Sequence, residues 1–392
     1  MNLLSRNFSY DIAVCGGGFA GISAALAAAR EGKKVILLEK EYILGGLGTA
    51  GLVTIYLPLC DGMGHQVSFG IAEELFRLSI MYGAEARYPE NWLDGIGTKT
   101  EKDKRFQVQY NPQVFAILAE QLLIKSGVDI LYGSYVVDAE VKNNKIEYLS
   151  VENKSGRTAY YIRSVVDATG DADIARFAGA PTETYKPGNL LAAWYYFSDS
   201  DGYQLKTLGK AHMPKSLPDG KEAEMYTKTY SGLDAEELSE MTRVAHDQVL
   251  HNWLERRKYT PEAVISTLPT IPQVRMTRRI VGEYTMSYDE MHKYFDDSIG
   301  MVSDWRKRGP IFEIPFRTLY NSSVKNLIMA GRCTSVDDEL WDVMRVIPCC
   351  AVTGQAAGIA AALTNDFTRL DVNILQSKLE SNGVVLHEES IL

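Results

Sequence analysis

A mixed α/β fold with a parallel sheet at its centre is predicted by three observations on this 392-residue sequence. Residues 12–15 are a short apolar run that stops at glycine, as a strand buried on both faces does. Residues 19–31 then give an alanine-rich helix, and residues 35–38 a second apolar strand. The same pattern returns later, with a helix opened by Asn111-Pro112 and a strand over 128–132, and again with apolar strands over 164–168 and 326–330.

The first turn carries Gly16-x-Gly18-x-x-Gly21. Such spacing lets the chain turn tightly at the first glycine, lets a pyrophosphate approach backbone at the second, and brings helix close to strand at the third. Unpaired N–H groups and the dipole at the helix start favour an anion there. Glu39 ends the second strand, eighteen residues after Gly21, and a carboxylate in that place accepts ribose hydroxyls while repelling a 2′-phosphate. The stretch therefore reads as a site for an unphosphorylated ADP moiety. A second glycine loop, residues 45–51, implies backbone running beside an extended ligand.

Between these strands, residues 135–141, 145–152 and 159–162 alternate around Asn-Asn and Ser-Gly turns, which predicts a three-stranded antiparallel meander before the return strand. Residues 83–105 read as a polar excursion. From about residue 182 to 320 the pattern changes to scattered strands around a long helix capped by Asp234, an inserted α+β domain on the substrate side. Residues 276–286 read as one strand carrying Arg278 and Arg279. The expected organisation is a binding domain in two parts, 1–181 and 321–392, with the substrate or cap domain at 182–320.

Composition narrows the function. A net charge of −9 argues against nucleic acid as a partner, and no apolar run is long enough for a membrane span. The N-terminus lacks the apolar core of a signal peptide, and five scattered cysteines suit reduced thiols, so a cytoplasmic location is expected. No cluster of metal-ligand spacing is present, and no metal is expected.

Taken together, Gly16-x-Gly18-x-x-Gly21 with Glu39-Lys40, the Gly45-Gly46-x-x-Thr49 loop, Asp167-Ala-Thr-Gly-Asp171, and the 326–332 strand leading to Gly354-Gln-Ala-Ala-Gly358 resemble the FAD-dependent oxidoreductases of the glutathione-reductase-like superfamily. Among these, the resemblance is nearest to the family related to fumarate reductase flavoproteins. It implies a Rossmann-like FAD-binding fold and noncovalent FAD. By the same match Gly16, Gly18 and Gly21 line the pyrophosphate, Glu39 binds the ribose and the Val136 backbone meets adenine. Gly45, Gly46 and Thr49 follow the pyrophosphate and ribityl chain, Thr169 and Gly170 pack on the ADP portion, and Gly331 and Arg332 lie on the ribityl side. The helix after Pro348 points its N-terminus at the pyrimidine edge of the flavin, where a helix dipole stabilises negative charge.

Departures from relatives restrict the chemistry. Residues 41–59 hold no cysteine pair, which argues against disulfide reduction; no second glycine motif supplies an NAD domain, and no histidine precedes His65 for covalent flavin attachment. The better known branch carries Ala-Thr-His where this chain has Val336-Asp337-Asp338, so that histidine's role does not transfer.

Four residues are candidates for catalysis. Arg345, just before the last helix, can touch the flavin or hold a substrate carboxylate, or else pair with Asp342 or Asp338. Asp338 can act as a base or as a solvated loop acid. Arg275, in the basic cluster with Arg278 and Arg279, can anchor a carboxylate or pair with surface acids. His65 can donate a proton or be an ordinary loop histidine. The function expected is hydride transfer between FAD and a small organic substrate, with a carboxylate among the candidates and the electron partner unspecified. A non-redox flavoenzyme, such as a hydratase or isomerase, and a flavin-bound sensor stay open as alternatives.

Overall fold

The computed structural model describes residues 4–82, 107–209 and 228–392. The polar stretch expected over 83–105 lies outside the described residues. The central sheet is built from β1 (Leu4–Cys15), β2 (Val35–Leu38), β3 (Asp129–Leu131), β4 (Tyr135–Lys142), β5 (Lys145–Asn153) and β6 (Gly156–Asp167) in the spatial order β3-β2-β1-β6-β5-β4. β1, β2, β3 and β6 are parallel, and β4 to β6 form the antiparallel meander.

One feature differs from the sequence reading. The last meander strand and the return strand are a single strand, β6. Its first half pairs antiparallel with β5, and its second half pairs parallel with the later strand Leu327–Met329. Alternation gives way to the wholly buried run 164–168 because the strand passes from a half-exposed ribbon into a sheet covered on both faces. Asn326 fills the gap where β5 yields its place. Its side chain accepts from Ile146 N–H at 2.8 Å and donates to the carbonyls of Ile146 and Arg163 at 2.9 and 3.0 Å, all in a buried position. Asn326→Ala leaves those backbone groups without partners, an expected loss of about 2–4 kcal/mol in urea unfolding. A loss below about 0.5 kcal/mol would show that the handover needs no side chain.

Alternating with the sheet, α1 (Phe19–Arg30), α2 (Ile71–Ser79) and α3 (Pro112–Lys125) cover one flank. α4 (Asp173–Phe177) follows β6. Within residues 182–320 β7 (Thr182–Thr184) pairs with β11 (Arg278–Ile280), and β8 (Tyr195–Asp199), β9 (Gly202–Lys206) and β10 (Val264–Thr267) form a three-stranded sheet under α5 (Ala235–Arg257). Of the expected strand 276–286, Arg278–Ile280 form a strand and Met286 makes an isolated parallel bridge with Val336. A hairpin of β12 (Ser298–Ser303) and β13 (Ile311–Pro315) leads to β14 (Leu327–Met329), α6 (Asp338–Met344), α7 (Ile347–Leu363) and α8 (Val372–Ser381).

Most buried apolar residues of 182–320 divide between two cores. Leu191, Phe197, Met241, Val249 and Val274 cluster by themselves, whereas Met276, Ile299, Phe312 and Phe316 join the core of the central sheet and its helices. The two glycines of α7 face α1. A Cβ on Gly354 would stand 2.3 Å from the Ala20 carbonyl oxygen, and one on Gly358 would stand 2.2 Å from that of Ala24. The two helices therefore meet backbone to backbone, and α7 directs its first turn to the same sheet edge as α1.

That edge is where the strands end in register: Cys15 is level with Leu38 and Asp167, Asp167 with Met329, and Leu38 with Leu131. The turns after β1, β2, β6 and β14 consequently converge at the carboxyl side of the sheet, where ligands bind in open α/β folds.

Candidate functional site

A cleft of about 340 Å³ runs along that edge. Its floor is the turn from β1 into α1. Gly16 has φ +100°, and a Cβ there would stand 2.5 Å from the Ala168 carbonyl oxygen. Only glycine tolerates both. Gly18 caps α1 without any side-chain hydrogen bond, so the first N–H groups of the helix lack intrahelical partners. A Cβ on Gly18 would meet nothing within 4 Å, and Gly18 lines the cleft. Gly21 serves packing instead: its Cβ would fall 1.8 Å from the Gly16 carbonyl oxygen.

The second glycine loop lies alongside. Gly45 N–H donates to the Gly17 carbonyl at 2.8 Å, Gly45 has φ +102°, and Gly45 and Gly46 line the cleft. Glu39 is buried at the cleft wall, accepting from Gly17 N–H at 2.6 Å and Glu41 N–H at 2.8 Å. Burial raises its pKa against the pull of those two donors. Lys40, Val136, Thr169, Gly170, Gly331 and Arg332 complete the walls.

Asp167 organises the turn after β6. Its Oδ1 accepts the Thr169 hydroxyl at 2.6 Å and the Thr169 N–H at 3.1 Å, while Oδ2 accepts the N–H groups of Ile174 and Ala175 at 2.9 and 3.1 Å. Burial nevertheless pushes its pKa up to about 6 from 3.8. The folded state holds this proton more tightly than the unfolded chain does, so the contribution is complete below the unfolded pKa and is lost as pH climbs through about 6. Wild type should accordingly lose melting temperature relative to Asp167→Asn as pH rises from about 4 to about 6. A difference that stays flat across that window would contradict the assignment.

A second cavity of about 400 Å³ shares Leu47, Gly48, Arg332, Arg345 and Ile347 with the cleft. Val53, Ile55, Leu57 and Val346 make it largely apolar, and Trp194, Trp305 and Arg275 reach it from residues 182–320. Its three arginines differ in their partners. Arg332 donates to Asp171 Oδ1 at 2.8 Å and to the Arg275 carbonyl at 3.1 Å. Arg345 Nε donates to Asp342 Oδ1 at 2.9 Å, and Arg306 Nη1 lies 3.5 Å from the other oxygen of that carboxylate.

Arg275 has no such acid. Among the described residues its side chain makes no hydrogen bond or ion pair and its Nε is buried without a partner, while its guanidinium lies 5.3 Å from the ring centroid of Trp194, whose indole N–H is likewise buried and unpartnered. Burial first, and the charge of Arg345 next, push the Arg275 pKa down to about 9, which leaves it charged at neutral pH. Arg278 and Arg279, by contrast, are consumed by Asp173 and Glu183 at 2.6 Å each.

Of the sequence candidates, Arg345 and Arg275 come together here, and Asp338 and His65 do not. Asp338 begins α6, where an acid favours the helix dipole, and faces the positive charge of Arg279 outside both cavities. His65 Nδ1 is 2.8 Å from Asp61, which also accepts Met63 N–H at 2.7 Å; the pair closes a loop away from the cavities. Thr49 turns its hydroxyl onto the Leu44 carbonyl rather than lining the cleft, and Pro348 is buried in the first turn of α7, where Ile347 and Cys350 are the residues that reach it. Trp194 and Trp305 are functional candidates that the sequence reading missed. The aromatic run 191–197 was the available signal for Trp194; nothing local marks Trp305.

Among the described residues no group of three or more His, Cys, Asp or Glu is placed to hold a metal, and no single helix is long and apolar enough to cross a membrane. The cleft fits an extended dinucleotide: uncapped helix N–H groups, glycine positions open toward the ligand and a carboxylate at the end of β2 occur in one continuous channel.

The comparisons with known proteins agree. The sequence matches the model of the FAD dependent oxidoreductase family over residues 11–191 and 193–379. It is 25% identical to a thioredoxin reductase of Ureaplasma parvum serovar 3 over 142 residues, 36% of this chain and 42% of that protein. It is 34% identical over 111 residues to a vinyl phenol reductase of Lactiplantibacillus plantarum, 27% of this chain and 22% of the relative. The chain thus spans less than half the length of either curated relative. Among solved structures, p-nitrophenol 4-monooxygenase PnpA of Pseudomonas putida superposes with a TM-score of 0.51 at 12% identity, over 96% of this chain and 85% of that one, which shows a shared fold. With the family matched along nearly its whole length and the cleft shaped for the cofactor, this chain belongs to the FAD dependent oxidoreductase family, with FAD as its cofactor.

Proposed function

We propose that this flavoenzyme oxidises or reduces a small organic anion, best a carboxylate, held in the second cavity by Arg275. The observation that carries the reading is a buried guanidinium without an acid beside a cavity that opens on the cofactor cleft. Burying such a charge costs several kcal/mol unless a partner arrives, and a bound anion is that partner.

Gly16, Gly18, Gly45, Gly46 and Glu39 would hold the ADP portion of FAD, and Gly331, Arg332 and the start of α7 its flavin portion. Once bound, FAD supplies two-electron redox chemistry at its ring system. The chain does the rest. Arg275 binds and orients the anion, Arg345 is fixed by Asp342 at the border of the two cavities, and the apolar wall from Val53 to Leu57 with Val346 excludes water. Residues 182–320 supply Trp194, Arg275 and Trp305, which supports their role as the substrate side. The narrower kinship with glutathione-reductase-like and fumarate reductase flavoproteins belongs to the same proposal, as do an external electron partner and a cytoplasmic location, the last supported by five free cysteines.

The test is anaerobic titration of the purified flavoprotein, oxidised enzyme with saturated carboxylates and reduced enzyme with unsaturated ones, each beside its amide. Acids should change the visible flavin band and amides should not. A flavin that responds to neutral compounds alone would sink the reading.

A further inference from the structure

We propose that the ligand of the second cavity is a monocarboxylate with an apolar body, its carboxylate accepting hydrogen bonds from both Arg275 and the indole N–H of Trp194. The proposal rests on the reading above and specifies its substrate class. It follows from a charge count over the described lining residues. The charged side chains among them are Arg275, Arg332 and Arg345. Asp171 answers Arg332 and Asp342 answers Arg345, so one positive charge stands unbalanced.

A monoanion neutralises it. A dianion would bring a second negative charge into walls where Leu47, Val53, Ile55, Leu57, Val346 and Ile347 outnumber the neutral polar Gln107 and Thr207 and no further unpaired cation stands, so that charge would be costly. A neutral ligand would leave Arg275 as it stands.

The hydrogen-bond count agrees with the charge count. Two side chains that line this cavity each carry a buried donor without a partner among the described residues, Arg275 Nε and Trp194 Nε1, and the two side chains are in contact, with the guanidinium carbon 5.3 Å from the indole centroid. Two oxygens of one carboxylate can satisfy both. The other indole lining the cavity is already committed, since Trp305 Nε1 donates to the Asp342 carbonyl at 3.0 Å. Trp305 therefore offers a flat apolar face, and Trp194 offers a face and a donor.

Isothermal titration of the FAD-loaded protein with cinnamate, hexanoate, cinnamamide and fumarate tests this without turnover. One or both monoacids should bind at least tenfold more tightly than cinnamamide and than fumarate. Arg275→Met should erase the preference for acid over amide, and Trp194→Phe should weaken the acid severalfold while leaving the amide unchanged. Fumarate binding as tightly as the monoacids would overturn the monocarboxylate assignment and leave the anion reading standing. Amide and acid binding equally, or no acid binding at all, would overturn both. The wild-type series decides these outcomes even if a variant fails to fold.

Discussion

Replacing Gly18 by alanine is expected to leave the apoprotein folded and to weaken FAD binding at least tenfold, about 1.4 kcal/mol or more. The two effects separate because of where a Cβ would go. Gly18 has φ −69° and ψ −179°, values open to any residue, and the added methyl meets no protein atom within 4 Å. As an N-cap, glycine is better than alanine by about 0.5–1 kcal/mol, so urea unfolding of the apoprotein should move by no more than that. The methyl instead enters the cleft at the mouth of α1, over the helix N–H groups on which the pyrophosphate would rest. Gly21→Ala supplies the contrast. Its Cβ would lie 1.8 Å from the Gly16 carbonyl oxygen, so α1 must move away from β1, and stability and flavin content should fall together. Flavin content is read from the visible spectrum and affinity by titrating apoprotein. Wild-type affinity in Gly18→Ala would mean that the cofactor does not approach this turn.

The difference between these two glycines also shows what the sequence could tell and what it could not. Spacing alone assigned separate roles to Gly16, Gly18 and Gly21 because each role is local: one turn, one approach and one helix contact within six residues. The parallel strands and the meander were legible for the same reason, since burial on two faces and alternation on one leave periodic traces. The continuity of β6 was not, because nothing within residues 156–167 records that a strand from residue 327 will take over its edge. Site residues divide in the same way. Arg345 and Arg275 are 70 positions apart, and each has an acid or an arginine nearby in sequence. Only the fold shows that Asp342 answers Arg345, Asp173 answers Arg278 and Glu183 answers Arg279, while Arg275 is left over. A similar ambiguity left two readings open for Asp338 and His65, whose residue types suit catalysis but which stand outside both cavities, Asp338 near the charge of Arg279 and His65 beside Asp61.

Arg275→Met should make the free enzyme more stable and at the same time unable to distinguish a carboxylate from its amide. Most core substitutions destabilise, so a gain here is diagnostic. Arg275 is buried, its Nε has no partner among the described residues, and the charges of Arg345 and Arg332 oppose its own, offset only in part by Asp342, which is already paired with Arg345. Methionine keeps the apolar stem beside Trp194 and removes the charge, a change expected to raise stability by about 1–4 kcal/mol, seen as a higher melting temperature in the absence of ligand. Function falls for the same reason that stability rises, because the energy spent on holding an unpaired cation in an apolar wall is recovered only when an anion binds. In wild type a saturating carboxylate should raise the melting temperature; in Arg275→Met it should have little effect, because ligands stabilise only the state they bind. If the variant instead melts well below wild type, Arg275 is part of the structural core and its unpaired state is not a binding site.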